Sequence, residues 1–466
     1  MENFWDSNVW GTYLIIGILL ASLLAANVLK RKIAFLRYSL IPNSVLGGIL
    51  ILLLVWIYKL CSGGQSLFSA EIFGGNAYST MEVLTYHCLA LGFIASTLKS
   101  SDAKLTKERS VEIFNTGVTT VSTYLLQGVV GMGLTMLIAW IIIKDFFPAA
   151  GLLLPFGYGQ GTGQAMNYGG IYENQFGFAG GKTFGLTVAA MGFLSASIGG
   201  VIHLNILRKK GVVAPKAQDA QRSERIEEDD EIPMQESIDK LTVQVAIIAV
   251  TYMVAYVLMY VLGLVLPGMK SVIYGFNFLL GVLAATVVKA IIKLLRKTKL
   301  MNRGYVNNFL LTRISNFFFD LMVVAGVAAI RLDILEDYWG IMLVLGVVGL
   351  VITYAYQLLV SKALFAGYRH EQFLMMYGML TGTASTGTIL LRELDPEFKT
   401  PAADNMVYQN FPAIVFGFPI MLLATLAPQK PVLTWILLLA FLLVMNVILF
   451  RKFIFAKIKA MVKSGK

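Results

Sequence analysis

The chain has 466 residues, of which 57% are hydrophobic and 14% charged, where a typical soluble domain carries about 25% charge. With so few charges it lacks the polar groups for a water-facing surface, and its natural solvent is lipid. The net charge of +11 sits in short Lys/Arg runs between long apolar stretches, which excludes a continuous phosphate-binding face and a nucleic-acid partner; Cys61 and Cys88 supply neither a disulfide framework nor a metal set.

The N-terminus carries Glu2 and Asp6 and no basic residue before the first apolar run, unlike a secretory signal, so that run reads as a true span. Apolar runs recur at 9–29, 40–60, 82–98, 115–143 and 178–207. After a polar stretch they resume at 241–266, 272–295, 309–330, 340–360, 405–426 and 432–450. A helix needs about 20 apolar residues to cross a bilayer. Eleven such runs in succession predict an all-α integral membrane protein with about 11 transmembrane helices.

Basic residues orient these spans. With the N-terminus outside and sides alternating, 32 of the 38 Lys and Arg fall on or near the inner side, and the C-terminus is cytoplasmic. The alternation closes only if two further segments enter and leave from one face: 151–174 on the outer side and 371–393 on the inner side. The stretch 208–239, of mixed charge with two prolines, reads as a solvated cytoplasmic linker. It divides the chain into a first repeat, 1–207, and a second, 240–427. Each half has an odd number of crossings, so the second is inverted relative to the first. Residues 428–466 form an extra span with a basic tail.

The two non-crossing segments hold the chemistry. Eleven of the 43 glycines fall between Gly151 and Gly185, where unusual backbone angles and close ligand approach to the main chain become available. Gly159, Gly161 and Gly163 alternate there with polar residues, and Thr162, Gln164 and Asn167 add neutral donors and acceptors. The second segment brings Thr381, Gly382, Thr383, Ser385 and Thr386 together. Gly161-Thr162 can be laid on Gly382-Thr383, as in secondary transporters whose broken helices meet near the membrane midplane. Helix packing is the alternative for one such segment, since Gly159-x-x-x-Gly163 fits the small-xxx-small pattern. Two segments at corresponding places, both rich in hydrogen-bonding groups, favour a substrate or ion site.

Among ionisable residues inside the spans, Asp320 sits mid-run with Asn316 four residues earlier on the same face. A carboxylate there is protonated, paired or coordinating a cation. His87 lies nearer a span end, where an interfacial role suffices. Arg392, Glu393, Asp395 and Glu397 read as a solvated, mutually paired cluster, with Arg392 alternatively meeting an anion on its inner route. Asn405, Tyr408, Gln409 and Asn410 open the tenth span and are candidates to line the same cavity. The run from Gly177 to Thr183 imitates a phosphate loop but has one residue too few between its glycines and no preceding strand. No HExxH, GxSxG or metal-spaced Cys/His cluster occurs, so the reading is not that of an enzyme.

The run Gly159-Gln-Gly-Thr-Gly-Gln-Ala165, its partner at Gly382-Thr383, and Arg313–Asn316 resemble the bacterial sodium/glutamate symporter family. The resemblance implies inverted five-helix repeats with facing re-entrant loops. It also implies glutamate carried inward on a sodium gradient, and a homodimer with an elevator-like moving domain. The second motif departs by reading GTASTG, and the long linker and eleventh span are further departures. The function so implied is sodium-coupled symport of glutamate across the cytoplasmic membrane, without a cofactor and with Na+ as coupling ion. Two alternatives remain open at this stage: a sodium- or proton-coupled carrier of another organic anion such as a di- or tricarboxylate, and a non-transporting membrane scaffold or sensor.

Overall fold

The computed structural model describes residues 3–99, 106–212, 238–301 and 303–455. The expected linker lies for most of its length outside the described residues, as does the basic tail from 456 onward. Every regular element among the described residues is helical. In chain order the helices are α1 (Ser7–Lys32), α2 (Asn43–Cys61), α3 (Ala77–Leu98), α4 (Lys107–Leu137), α5 (Thr162–Phe176), α6 (Gly181–Lys209) and α7 (Lys240–Val265). They continue with α8 (Asn277–Lys297), α9 (Asn308–Ala328), α10 (Leu332–Leu364), α11 (Arg369–Thr381), α12 (Ala384–Arg392), α13 (Ala402–Tyr408), α14 (Asn410–Leu426) and α15 (Pro431–Leu449).

Ten of the described helices are long and apolar enough to cross a bilayer, and a bent pair brings the total to eleven, which agrees with the eleven apolar runs. The bent pair falls on the predicted run 405–426: α13 and the body of α14 meet at 54°. Pro412 explains the bend, because its ring clashes with the carbonyl four residues back, at Tyr408, and it has no N–H to donate. Helix ends follow local chemistry. Thr106, Asp239 and Asn307 cap α4, α7 and α9 by accepting from Arg109, Leu241 and Leu310 N–H groups, while Lys30, Arg31 and Lys32 close α1, where the helix dipole favours cations.

The chain forms two compact units. The first comprises Met1–Arg37, Pro42–Lys104 and Asp219–Leu332, and so holds α1–α3 and α7–α9. Its long helices are each unbroken, with the short helices Ala34–Tyr38 and Lys270–Gly275 standing next to α1 and α8. A core of Ile94, Ala95, Leu98, Ile248, Ala285, Leu311 and Ile314 joins α3, α7, α8 and α9, and Ser315 ties α9 to α3 by donating to the Gly92 carbonyl at 2.9 Å. The outward faces are apolar: α7 alone exposes Val250, Met253, Val257, Val261 and Leu264. In water this would be an aggregation face, whereas in hydrocarbon it is the required coat.

The second unit comprises Tyr38–Ile41, Leu105–Gln218 and Asp333–Lys466, with α4–α6 and α10–α15. Its centre is aromatic. Phe156 stacks on Tyr168 at 3.9 Å, and the Tyr168 and Tyr172 hydroxyls donate to the carbonyls of Met421 and Ala424 at 2.9 Å each. These bonds hold two buried phenols to α14, where an unmade hydrogen bond would cost about 1–3 kcal/mol. Both glycine-rich segments lie in this unit as antiparallel pairs, α5 against α6 and α11 against α12. The second pair packs backbone to backbone. A methyl added at Gly378 would stand 2.7 Å from Gly387 Cα, and one added at Gly387 would collide with the Met375 carbonyl.

Candidate functional site

The first break begins as a widened, π-type helical turn at Pro155–Gly159 and reaches Gly161 at φ +83°, a conformation that residues with a Cβ avoid. Helix α5 starts at Thr162 with its first-turn N–H groups outside the helical ladder. Thr162, Gly163 and Gln164 are buried there, and Asn167 is half-buried one turn on. Gln164 is 1% exposed, yet neither its Nε2 nor its Oε1 has a hydrogen-bond partner. The carbonyl of Gly159 accepts from the Tyr124 hydroxyl at 3.0 Å, and an added methyl at Gly159 would overlap that ring.

In the second break α11 ends at Thr381, Gly382 turns the chain, and Thr383 caps α12 by accepting from Thr386 N–H at 3.3 Å. Thr381 closes its own helix, donating to the Tyr377 carbonyl at 2.6 Å. Thr386 is buried, and Ser385 and Thr383 are half-buried. The two breaks share neighbours. A methyl at Gly192 of α6 would meet the Thr381 carbonyl oxygen at 2.6 Å and Tyr158 Cα at 3.2 Å. Tyr158 in turn hydrogen-bonds Ser195 Oγ at 2.8 Å and donates to the Gly346 carbonyl at 2.5 Å. Tyr124 packs against Met376, Met379 and Leu380 of α11. Tyr158, Gly159 and the Thr381 end of α11 therefore share neighbours in Tyr124 of α4 and Gly192 of α6, within a single unit.

A buried polar ladder on α4 runs beside the breaks. Thr116, Thr119, Thr120, Thr123 and Gln127 are at most 1% exposed. Their spacing of i, i+3, i+4, i+7 and i+11 puts them on one helical face. Gln372 donates to Thr116 at 3.4 Å, Thr120 to Gln409 Oε1 at 2.8 Å, and Gln357 to Thr123 at 2.7 Å. Gln127 Nε2 donates to Thr353 Oγ1 at 2.9 Å and to the Leu380 carbonyl at 3.0 Å. Asn405, fully buried at the bend before α14, donates to Tyr368 at 2.8 Å and to Gln372 at 3.4 Å. The ladder was missed in the sequence because 115–143 reads as an ordinary apolar run. Its signal was present in the threonine spacing.

Asn316 and Asp320 belong to the first unit. With Arg313 and Phe317 they form an exposed face of α9, and the Arg313 guanidinium covers the Phe309 ring at 5.0 Å. His87 hydrogen-bonds the Tyr252 hydroxyl at 2.8 Å. The charged cluster after α12 pairs differently from the mutual pairing predicted for it. Glu393 meets Arg208 at 3.3 Å and Glu397 meets Lys399 at 2.5 Å, while Arg392 lies over Phe398 at 5.3 Å. Asp395 accepts from the N–H groups of Lys399 and Thr400 and from the Thr400 hydroxyl. Burial alone would raise its pKa, but these bonds outweigh it and hold the carboxyl below its ordinary value.

Among the described residues no group of three or more His, Cys, Asp or Glu could hold a metal ion. The donor set around the breaks consists of neutral oxygens, which suit a hard monovalent cation better than a transition metal. Up to eleven crossing helices, two broken segments paired at glycine contacts and a buried polar ladder define a multi-pass membrane transporter. The family model described as Sodium/glutamate symporter matches residues 9–378, most of the chain, and the protein belongs to that family. The match takes in the first break and the whole α4 ladder and ends four residues before Gly382. Comparison with curated proteins yields no match.

Proposed function

We propose that this protein symports glutamate with Na+ across the cytoplasmic membrane by alternating access, its substrate held between the tips of the two broken segments. The observation that carries this reading is Gln164. A buried amide with both atoms unpartnered forgoes about 1–3 kcal/mol for each group, so the arrangement favours a ligand that supplies both an acceptor and a donor. Glutamate does so: a carboxylate for Nε2 and an ammonium for Oε1. The same carboxylate would meet the first-turn N–H groups of α5 at the positive end of its dipole. Thr383, Ser385 and Thr386, at the start of α12, offer hydroxyls and N–H groups for the second carboxylate.

The chain halves 1–207 and 240–427 act in this reading as inverted repeats with re-entrant segments at 151–174 and 371–393, joined by the cytoplasmic linker 208–239, with 428–466 adding the extra helix. Each compact unit draws helices from both sides of that linker, which supports the repeat. The excess of basic residues on one side supports an outside N-terminus and a cytoplasmic C-terminus. The family likeness supports a homodimer. Coupling arises if Na+ favours the glutamate-binding state, so that each ligand strengthens the other by the same factor.

The test is uptake of labelled glutamate into liposomes holding the purified protein, with and without an inward Na+ gradient. Sodium-driven accumulation is expected, and in Gln164→Ala the glutamate concentration for half-maximal uptake should rise about 10- to 100-fold. Thermal stability should hold or rise, since two unsatisfied buried atoms are removed. A folded, inserted protein that accumulates no glutamate would sink the cargo assignment and move the search to other carboxylates and to proton gradients.

A further inference from the structure

The α4 ladder also contains a buried amide with an unpartnered atom, and its chemistry differs from that of Gln164. Gln127 is fully buried. Its Nε2 donates to the Leu380 carbonyl at 3.0 Å and to Thr353 Oγ1 at 2.9 Å, whereas its Oε1 has no donor. The orientation of this amide is fixed, because a backbone carbonyl can only accept and so requires the nitrogen at Leu380. The orphan is therefore an acceptor oxygen. It stands beside the last turn of α11, which ends at Thr381. The last carbonyls of a helix have no helical partners and carry about half a negative charge together. Thr353 Oγ1, Leu380 O and Gln127 Oε1 thus bring oxygen lone pairs to the negative end of a broken helix, with no carboxylate among them. The neighbouring ladder rung is occupied: Thr123 donates to the Thr119 carbonyl at 2.7 Å and accepts from Gln357 at 2.7 Å.

We propose that the coupling cation binds at this point, with Gln127 Oε1 as its side-chain ligand, Thr353 Oγ1 beside it and the terminal carbonyls of α11 completing the oxygen set. The site rests on the symporter reading for the identity of the ion as Na+. It adds that the cation sits at the C-terminal end of α11 and on α4, while the glutamate carboxylates take the helix N-termini. The two half-helix ends then divide by charge: cation at the carbonyls, anion at the N–H groups. Occupation of the site would tie α4, α10 and α11 together, fixing the break beside which the substrate is proposed to bind.

The experiment is thermal unfolding of the full-length protein in detergent, without glutamate, over a series of NaCl concentrations against KCl at equal ionic strength. Sodium should raise the wild-type Tm in a saturable way. Gln127→Met, close in volume but with no oxygen, should start from a lower Tm in KCl, since its two Nε2 hydrogen bonds are lost, and should show no sodium-dependent rise above that baseline. Thr353→Val should need about tenfold more sodium for the same shift. Should Gln127→Met fail to unfold cooperatively, the Thr353→Val titration alone decides. A sodium response in Gln127→Met equal to wild type overturns the site and leaves Oε1 with only a buried water, as does a wild-type protein that does not distinguish Na+ from K+. The readout omits glutamate, so the two readings fail separately. Sodium stabilisation lost in Gln127→Met, in a protein that accumulates no glutamate, upholds the cation site and removes the cargo. Sodium-driven uptake with unchanged sodium dependence in Gln127→Met does the reverse.

Discussion

The two units solve the same solvent problem in opposite ways. In the first, α1–α3 and α7–α9 are continuous, satisfy their backbone internally and cover themselves with aliphatic side chains. In the second, helices break at Gly161 and Gly382, and most of the buried hydroxyls and amides of the described residues lie in this unit. Freed backbone groups are tolerated at membrane depth only inside protein or beside a polar cavity. The second unit supplies such an interior from the threonines and glutamines of α4, α10 and α11. The difference teaches what a departure from the simplest membrane helix leaves behind: the second unit holds both glutamines that carry an unpartnered buried atom.

Substitutions that treat the two units alike should therefore give unlike results. The largest expected effect is Gly387→Leu, which drives a side chain into the Met375 carbonyl at the α11–α12 contact. Because backbone must move, a loss of roughly 3–5 kcal/mol is expected, read as lost cooperative unfolding and lost uptake. Gly17→Leu in α1, where an added methyl meets nothing within 4 Å, should leave both unchanged. Equal damage at the two positions would erase the contrast between the units.

Asp395→Asn comes next. The carboxylate is held below its ordinary value by Thr400 and Lys399, so it contributes stability that is present above the usual carboxylate range and lost as pH falls through the lowered value of the folded state. The variant should lose about 1–2 kcal/mol at neutral pH and show a flatter acid limb in its unfolding profile. An unaltered acid limb would mean that the loop after α12 does not hold the second unit together.

Tyr124→Phe removes one bond, the 3.0 Å contact to the Gly159 carbonyl, and should cost about 1 kcal/mol, seen as a several-fold rise in the glutamate concentration for half-maximal uptake. The smallest effect is expected in the first unit at Asp320→Asn. Sodium-driven uptake and its pH profile should stay as in wild type. Loss of pH-dependent transport instead would make Asp320 a proton carrier and shift coupling away from the second unit.

Much of this was legible before any tertiary contact was known. Apolar runs of span length located the crossing helices, because a bilayer admits few other shapes, and glycine density with hydroxyls located both breaks. Three features were not legible. Asn405 opens the tenth predicted span, and the 54° bend that follows it does not register in hydropathy. Asp320 was a candidate to coordinate a cation from its place mid-span, and only the tertiary structure puts it in the first unit while both breaks lie in the second. The α4 ladder was passed over because hydropathy averages along a window and does not register which face a threonine occupies.

The sequence by itself determined that this chain lives in a membrane, how many times it can cross and where its helices must break, since these follow from segment length, apolar content and the backbone freedom of glycine. Which spans form a compact unit and which carbonyl receives Gln127 Nε2 were decided only by the tertiary structure, and with them which amide atoms remain without a partner. Those outcomes depend on pairings between residues as far apart as Gln127 and Leu380, and a local pattern carries no information about the side chain that will stand opposite it.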